Sequence, residues 1–119
     1  MHGKWVVYPI LLWLLLGTLL AGCGSNHLEA YNRFAIRCAK AGLWKEAVYR
    51  WEQVRERDPN YAPAYNNLGV AYEALGDYDK ALEAYDQALR LEPNNETYAW
   101  NRRRCLAQKT RESSFQPED

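Results

Sequence analysis

An internal repetition of 34 residues constrains what this chain can fold into more than any other feature. Sliding residues 28–61 over residues 62–95 superposes Tyr31 on Tyr65, Phe34 on Leu68, Ala35 on Gly69 and Cys38 on Tyr72. The register continues through Gly42 on Gly76, Trp44 on Tyr78, Ala47 on Ala81, Trp51 on Tyr85 and Val54 on Ala88. It closes with Asp58-Pro59-Asn60 on Glu92-Pro93-Asn94. A single offset that aligns so many residues means stacked copies of one supersecondary unit, since a unit this short buries its apolar face only against a neighbour.

The unit reads as a helical hairpin. In the second copy Tyr65, Leu68, Ala71, Tyr72 and Leu75 recur at three- and four-residue spacing, and Tyr78, Ala81, Leu82, Tyr85, Ala88, Leu89 and Leu91 repeat the pattern. Each set marks one face of a helix. Gly76 ends the first helix, Asp77 caps the second, and Pro93 prevents its continuation. Gly69, Ala81 and Ala88 let the two helices approach, while Trp44, Trp51, Tyr72, Tyr78 and Tyr85 fill the space beside them as core residues.

Aromatic, leucine, glycine, tyrosine, alanine, aromatic, alanine and proline at this period resemble the tetratricopeptide repeat, and "AYNNLGVAYEALGDYDKALEAYDQALRLEPNN" fits it almost position for position. The first copy departs at Ala35, where glycine is usual, and at Cys38, where tyrosine is usual, so looser packing is expected there. The resemblance implies an all-α fold of tetratricopeptide-type helical hairpins, two repeats (28–61 and 62–95) plus a C-terminal capping helix, in a short right-handed solenoid. The capping helix is expected over 96–109, with Asn95 as its cap and Tyr98, Ala99 and Leu106 lying on the second repeat. Arg102 and Arg103 give it a wet outer face, as terminal units of stacked repeats require. Residues 110–119 show no periodicity and read as a disordered tail.

The first 22 residues follow a different plan. Lys4 precedes an almost unbroken aliphatic run over 10–21, the layout of a secretory signal peptide, and the run is short for a membrane span of about 20 residues. Leu20-Ala21-Gly22-Cys23 resembles the lipobox of bacterial lipoproteins, which implies cleavage before Cys23 and its acylation with palmitate-type chains. Such chains hold a protein on a bilayer at about 0.8 kcal/mol per buried methylene. An ordinary cleaved signal and an uncleaved anchor are the alternatives. Residues 23–27 are read as lipidated N-terminus and tether, with Asn26 capping the first helix and Glu29 completing a capping box. In a Gram-negative cell, Gly24 after the cysteine implies the periplasmic face of the outer membrane.

Composition and inventory narrow the function. Fifteen Lys plus Arg balance fifteen Asp plus Glu, so no charge excess points to nucleic acid. Histidines and serines fall in the leader, tether or tail, where no rigid element fixes a catalytic set. No His, Cys and acidic residues share metal-ligand spacing, and no cofactor or metal is expected. Cys38 and Cys105 belong to units too far apart for a disulfide within one chain and are expected as free thiols or as thiols paired between molecules. Binding remains. The resemblance implies a groove lined by the first helices of successive repeats, here with Asn32, Ile36 and Ala39, then Asn66, Val70 and Glu73, then Trp100 and Arg104, holding a protein or peptide. The chaperone-tail clamp of the family is matched only at Asn67; Ile36, Thr97 and Asn101 depart from it. The expectation is a non-catalytic, membrane-anchored adaptor of the bacterial cell envelope. Because about three repeats are wanted for stability, a self-associating homo-oligomeric structural subunit is one alternative, and an exported soluble protein with the same repeats is the other.

Overall fold

The computed structural model describes residues 22–115, with side chains described from His27 onward. The signal-like segment with the first two lipobox residues, Leu20 and Ala21, and the side chain of Cys23 lie outside that description. Five helices run in order: α1 (Gly22–Lys40), α2 (Trp44–Arg57), α3 (Ala62–Ala74), α4 (Tyr78–Leu91) and α5 (Glu96–Ser114). Each packs on the next in sequence, and α3 also touches α5. Among the described residues there is no strand and no helix long and apolar enough to cross a membrane.

The two hairpins are built by the same local chemistry at the same offset. In the first turn the Leu43 N–H donates to the Cys38 carbonyl at 2.9 Å and the Gly42 N–H to the Ala39 carbonyl at 3.0 Å; Asp77 to Tyr72 and Gly76 to Glu73 repeat both distances. This paired closure satisfies the last carbonyls of a helix and needs a left-handed residue, which Gly42 (φ 75°) and Gly76 (φ 79°) supply. Asp77 accepts from the Lys80 N–H and Asn95 from the Tyr98 N–H, each at 3.2 Å, so both expected caps form.

Small residues carry the close contacts. A methyl group added at Gly69 would stand 2.5 Å from Cε1 of Tyr85, so glycine there is what lets α4 approach α3. Ala47, Ala81 and Ala88 are fully buried at the other crossings. One cluster joins Ala35, Cys38, Ala47, Trp51, Leu68, Ala71 and Ala84 across four helices. A second joins Ala62, Ala88 and Tyr98, and a third joins Ala81, Tyr85 and Cys105. Ala35 and Cys38 are 0% and 6% exposed, so the first hairpin is closed at both positions where the family pattern is broken.

Four expectations need correction. Position 26 lies inside α1, which already starts at Gly22, so Asn26 caps nothing and residues 23–27 are helical rather than a free tether. No proline intervenes, and an established helix gains one backbone bond per added residue. On α5 the inward residues are Tyr98, Asn101 and Cys105, while Leu106 is 44% exposed; three- and four-residue spacing from Tyr98 reaches Cys105, and Leu106 turns past the contact. The fifth helix also continues to Ser114 instead of ending at 109. Glu112 accepts from the Tyr78 hydroxyl at 2.7 Å, Lys109 pairs with Asp79, and Ser113 and Ser114 bond back to carbonyls three residues earlier. Finally, Leu75 sits at the rim, 41% exposed, at the end of its helix rather than on its packed face.

Candidate functional site

The first helices of the hairpins, α1 and α3, together with α5 make one flank of the stack, and the residues expected to line a groove fall on it with unequal roles. Glu73 is the centre. Its side chain, 10% exposed, accepts from the Tyr85 hydroxyl at 2.9 Å and takes a two-pronged bond from Arg104, Nε to Oε1 at 3.1 Å and Nη2 to Oε2 at 2.9 Å. A bidentate guanidinium–carboxylate pair is stronger and more directional than a single contact. The Arg104 guanidinium also lies over the Trp100 ring, 4.8 Å from its centroid, an attraction between cation and ring quadrupole. Trp100 itself is 54% exposed.

Electrostatics follow the geometry. The hydrogen bond to Glu73 raises the Arg104 pKa above its ordinary value. Burial first, and then the Glu73 bond, raise that of Tyr85. Burial pushes the Cys105 thiol up to about 11, with the Glu73 charge adding to it. The group at the centre of this flank is thus an inward-held carboxylate covered by a cation and an open indole.

The remaining candidates divide. Asn66 accepts from Asn101 Nδ2 at 2.8 Å, a second bond joining α3 to α5. Val70 packs against the Ala81–Tyr85–Cys105 cluster, and Ile36 and Ala39 against the four-helix cluster. Asn32 does not face a groove. It is 6% exposed, accepts from the Trp51 indole N–H at 3.1 Å and donates to the Tyr61 hydroxyl at 3.2 Å; a buried amide is held by partners that satisfy it, and an indole donor stands where the first repeat has tryptophan. In the sequence Asn101 stood only as a departure from the clamp and Tyr85 only as a core ring, so the bonds of the Asn101 amide and the Tyr85 hydroxyl were missed. The signal for Asn101 was present, since it stands 34 residues after Asn67.

Other features lie apart from this flank. A cleft of about 440 Å³ opens where α2, α3 and α4 meet, floored by Leu68, Tyr72 and Ala84 and edged by Arg55, Lys80 and Glu83. Tyr72 donates to Glu52 at 3.0 Å, and burial followed by that bond pushes its pKa up to about 12. Cys38 and Cys105 are buried free cysteines in separate clusters. Among the described residues no group of three His, Cys, Asp or Glu could hold a metal ion.

The hairpin register, the twinned turns and the flank of first helices define an all-α tetratricopeptide-type solenoid. Family models agree: one described as Tetratricopeptide repeat matches residues 62–95 and one described as TPR repeat matches residues 37–76, so the chain carries tetratricopeptide repeats. No curated protein matches the sequence. Among solved structures the fold is similar to SycD, the type III secretion translocator chaperone of Yersinia enterocolitica, at 22% identity and a TM-score of 0.71, covering 77% of this chain and 69% of that one. SycD bound to a peptide of the translocator YopD is matched at 21% identity and a TM-score of 0.69, over 71% of this chain and 65% of that one. The chain is also similar to YrrB, described as a TPR protein with an unusual peptide-binding site, at 32% identity and a TM-score of 0.64, over 66% of this chain and 41% of that one.

Proposed function

We propose that this protein is a lipid-anchored adaptor of the bacterial cell envelope that holds a protein or peptide on the α1–α3–α5 flank without chemistry of its own. The observation that carries the binding half is the open Trp100 ring beside the Glu73–Arg104 pair. It presents an aromatic face and guanidinium edges to an incoming chain, and aromatic and arginine side chains are the usual anchors of protein contacts. Relatives of the same fold support this reading: SycD takes a translocator peptide and YrrB is described by its peptide site. The tether half rests on Leu20-Ala21-Gly22-Cys23 at the end of an aliphatic run. Outer-membrane placement follows from Gly24 in a Gram-negative cell.

Two measurements test the halves separately. Affinity capture from membrane extract with the full chain, Trp100→Ala and Asn66→Ala should recover a partner with the parent and lose it with Trp100→Ala; recovery that is indifferent to both changes refutes the flank. Mass spectrometry of the exported protein should find Cys23 acylated at the N-terminus, and a bare thiol there refutes the tether.

A further inference from the structure

We infer that the outer face of the first hairpin is a docking surface for an anionic lipid bilayer. The inference rests on the reading of position 23 as the point of membrane attachment and says how the body lies once attached.

Tyr31 and Phe34 stand in the register of Tyr65 and Leu68. In the second hairpin that register is covered by the hairpin before it, and Leu68 is 1% exposed. In the first hairpin the same face is open among the described residues: Phe34 is 39% and Tyr49 55% exposed, around a shallow hollow of about 330 Å³ lined by Ala30, Tyr31, Phe34 and Arg50.

Cations interleave with these aromatics. Arg37 and Arg50 lie 5.3 and 5.0 Å from the Phe34 centroid, Arg50 also lies 5.4 Å from that of Tyr49, and Arg57 lies 4.2 Å from that of Tyr31. Aromatic rings among arginines and lysines suit the boundary between lipid headgroups and acyl chains.

Charge selects the occupant. Residues 27–57 carry seven Lys or Arg against four Asp or Glu, whereas residues 58–95 carry two against seven. Three of the four acids in the first hairpin are paired within it, Glu29 with Arg33, Glu46 with Arg50 and Glu52 with Arg55. Arg37, Lys40, Lys45 and Arg57 have no acidic partner among the described residues. A second copy presenting the same face would set like charge on like charge, which is costly. An anionic surface complements it. The aliphatic run over 10–21 ends directly before Gly22, where α1 begins. Position 23 lies eleven residues before Phe34, about three helical turns, so the attachment point shares the helical register of Phe34. Laid flat on this face, α1 keeps that point at the bilayer.

The test uses the full chain with Cys23→Ser, so that acylation plays no part, and Tyr49→Cys carrying an environment-sensitive dye; Cys38 and Cys105 are buried. Flotation with vesicles reports attachment, and dye emission reports the face. With vesicles of three parts phosphatidylcholine to one part phosphatidylglycerol the emission should shift to the blue, and with phosphatidylcholine alone it should not. Adding Arg37→Gln or Lys45→Gln should weaken the response roughly fivefold each, the equivalent of about 1 kcal/mol per cation near an anionic surface. A dye moved to Leu106→Cys should not respond. No shift on anionic vesicles, an equal shift on both compositions, or a shift that needs only higher protein concentration or added envelope protein would each overturn the docking face. The acylation reading stands or falls apart from this, on the mass of Cys23.

Discussion

Gly69→Ala puts the packing argument at risk, because general propensity and local geometry predict opposite signs. In an exposed helix interior the change stabilises by about 1 kcal/mol. Here the new methyl group would meet Cε1, Cδ1 and Cζ of Tyr85 at 2.5, 2.6 and 2.8 Å, where ordinary contact begins at 3.4 Å, so the ring must withdraw by roughly 0.9 Å. It has nowhere to go. Tyr85 is fully buried, and its hydroxyl is held by Glu73, which is in turn held by Arg104. Overpacking of this kind costs about 1–3 kcal/mol, and the pinned ring places it toward the upper end. The expected net loss is about 1–2 kcal/mol. Urea unfolding of the full chain followed by far-ultraviolet circular dichroism should show the midpoint falling by roughly 0.5–1 M at unchanged slope, for a slope of about 2 kcal/mol/M. Against a Tyr85→Leu background, which removes the ring, the same Gly69→Ala change should instead stabilise by about 1 kcal/mol. A higher midpoint for Gly69→Ala alone would refute the close approach of α3 and α4.

Three further outcomes follow from the same contacts. Glu73→Ala leaves the buried Tyr85 hydroxyl and the Arg104 guanidinium without their acceptor, a loss of about 1–3 kcal/mol that hydrogen exchange should localise as faster opening of 96–114. Asn101→Ala removes the bond to Asn66 and should cost about 1 kcal/mol, read by the same unfolding assay, with hydrogen exchange in α1 and α2 unchanged. Stability should fall as pH rises above about 9. The Cys105 thiol has its pKa raised from 9.0 to about 11, chiefly by burial, and burial raises Tyr72 from 10.0 to about 12. The unfolded chain therefore ionises first, and the stability present below pH 9 is lost on the way to pH 12. Unfolding midpoints at pH 8, 10 and 11 check this, and a Cys105→Ala protein should lose less over the first part of that window.

Much of the fold could be read from the chain because its grammar is local. The 34-residue offset, the two turn glycines, the Asp77 and Asn95 caps and the prolines after α2 and α4 act within a few residues of themselves, and each does in the structure what its chemistry requires. The close approach at Gly69 was also legible, since a residue without a side chain on a packed helix face admits its partner helix; that Tyr85 is the group it admits was not. The family resemblance carried the register from one hairpin to the next, and the buried Ala35 and Cys38 show that its broken positions still pack.

The candidate site was legible by position and hidden by partner. Helical register placed Asn32, Asn66, Glu73 and Arg104 on the first helices and α5. Whether each points out or is drawn in depends on groups far along the chain: Trp51 and Tyr61 draw Asn32 inward, Asn101 ties up Asn66, and Arg104 closes over Glu73 from 31 residues away. The choice of Cys105 over Leu106 as the inward residue of α5, and the five further residues that helix gains against Tyr78 and Asp79, have the same origin. Periodicity names a face to within a residue or so, and backbone chemistry marks where a helix can begin and end. Which polar side chains meet across helices is decided only when the stack brings them within hydrogen-bond reach.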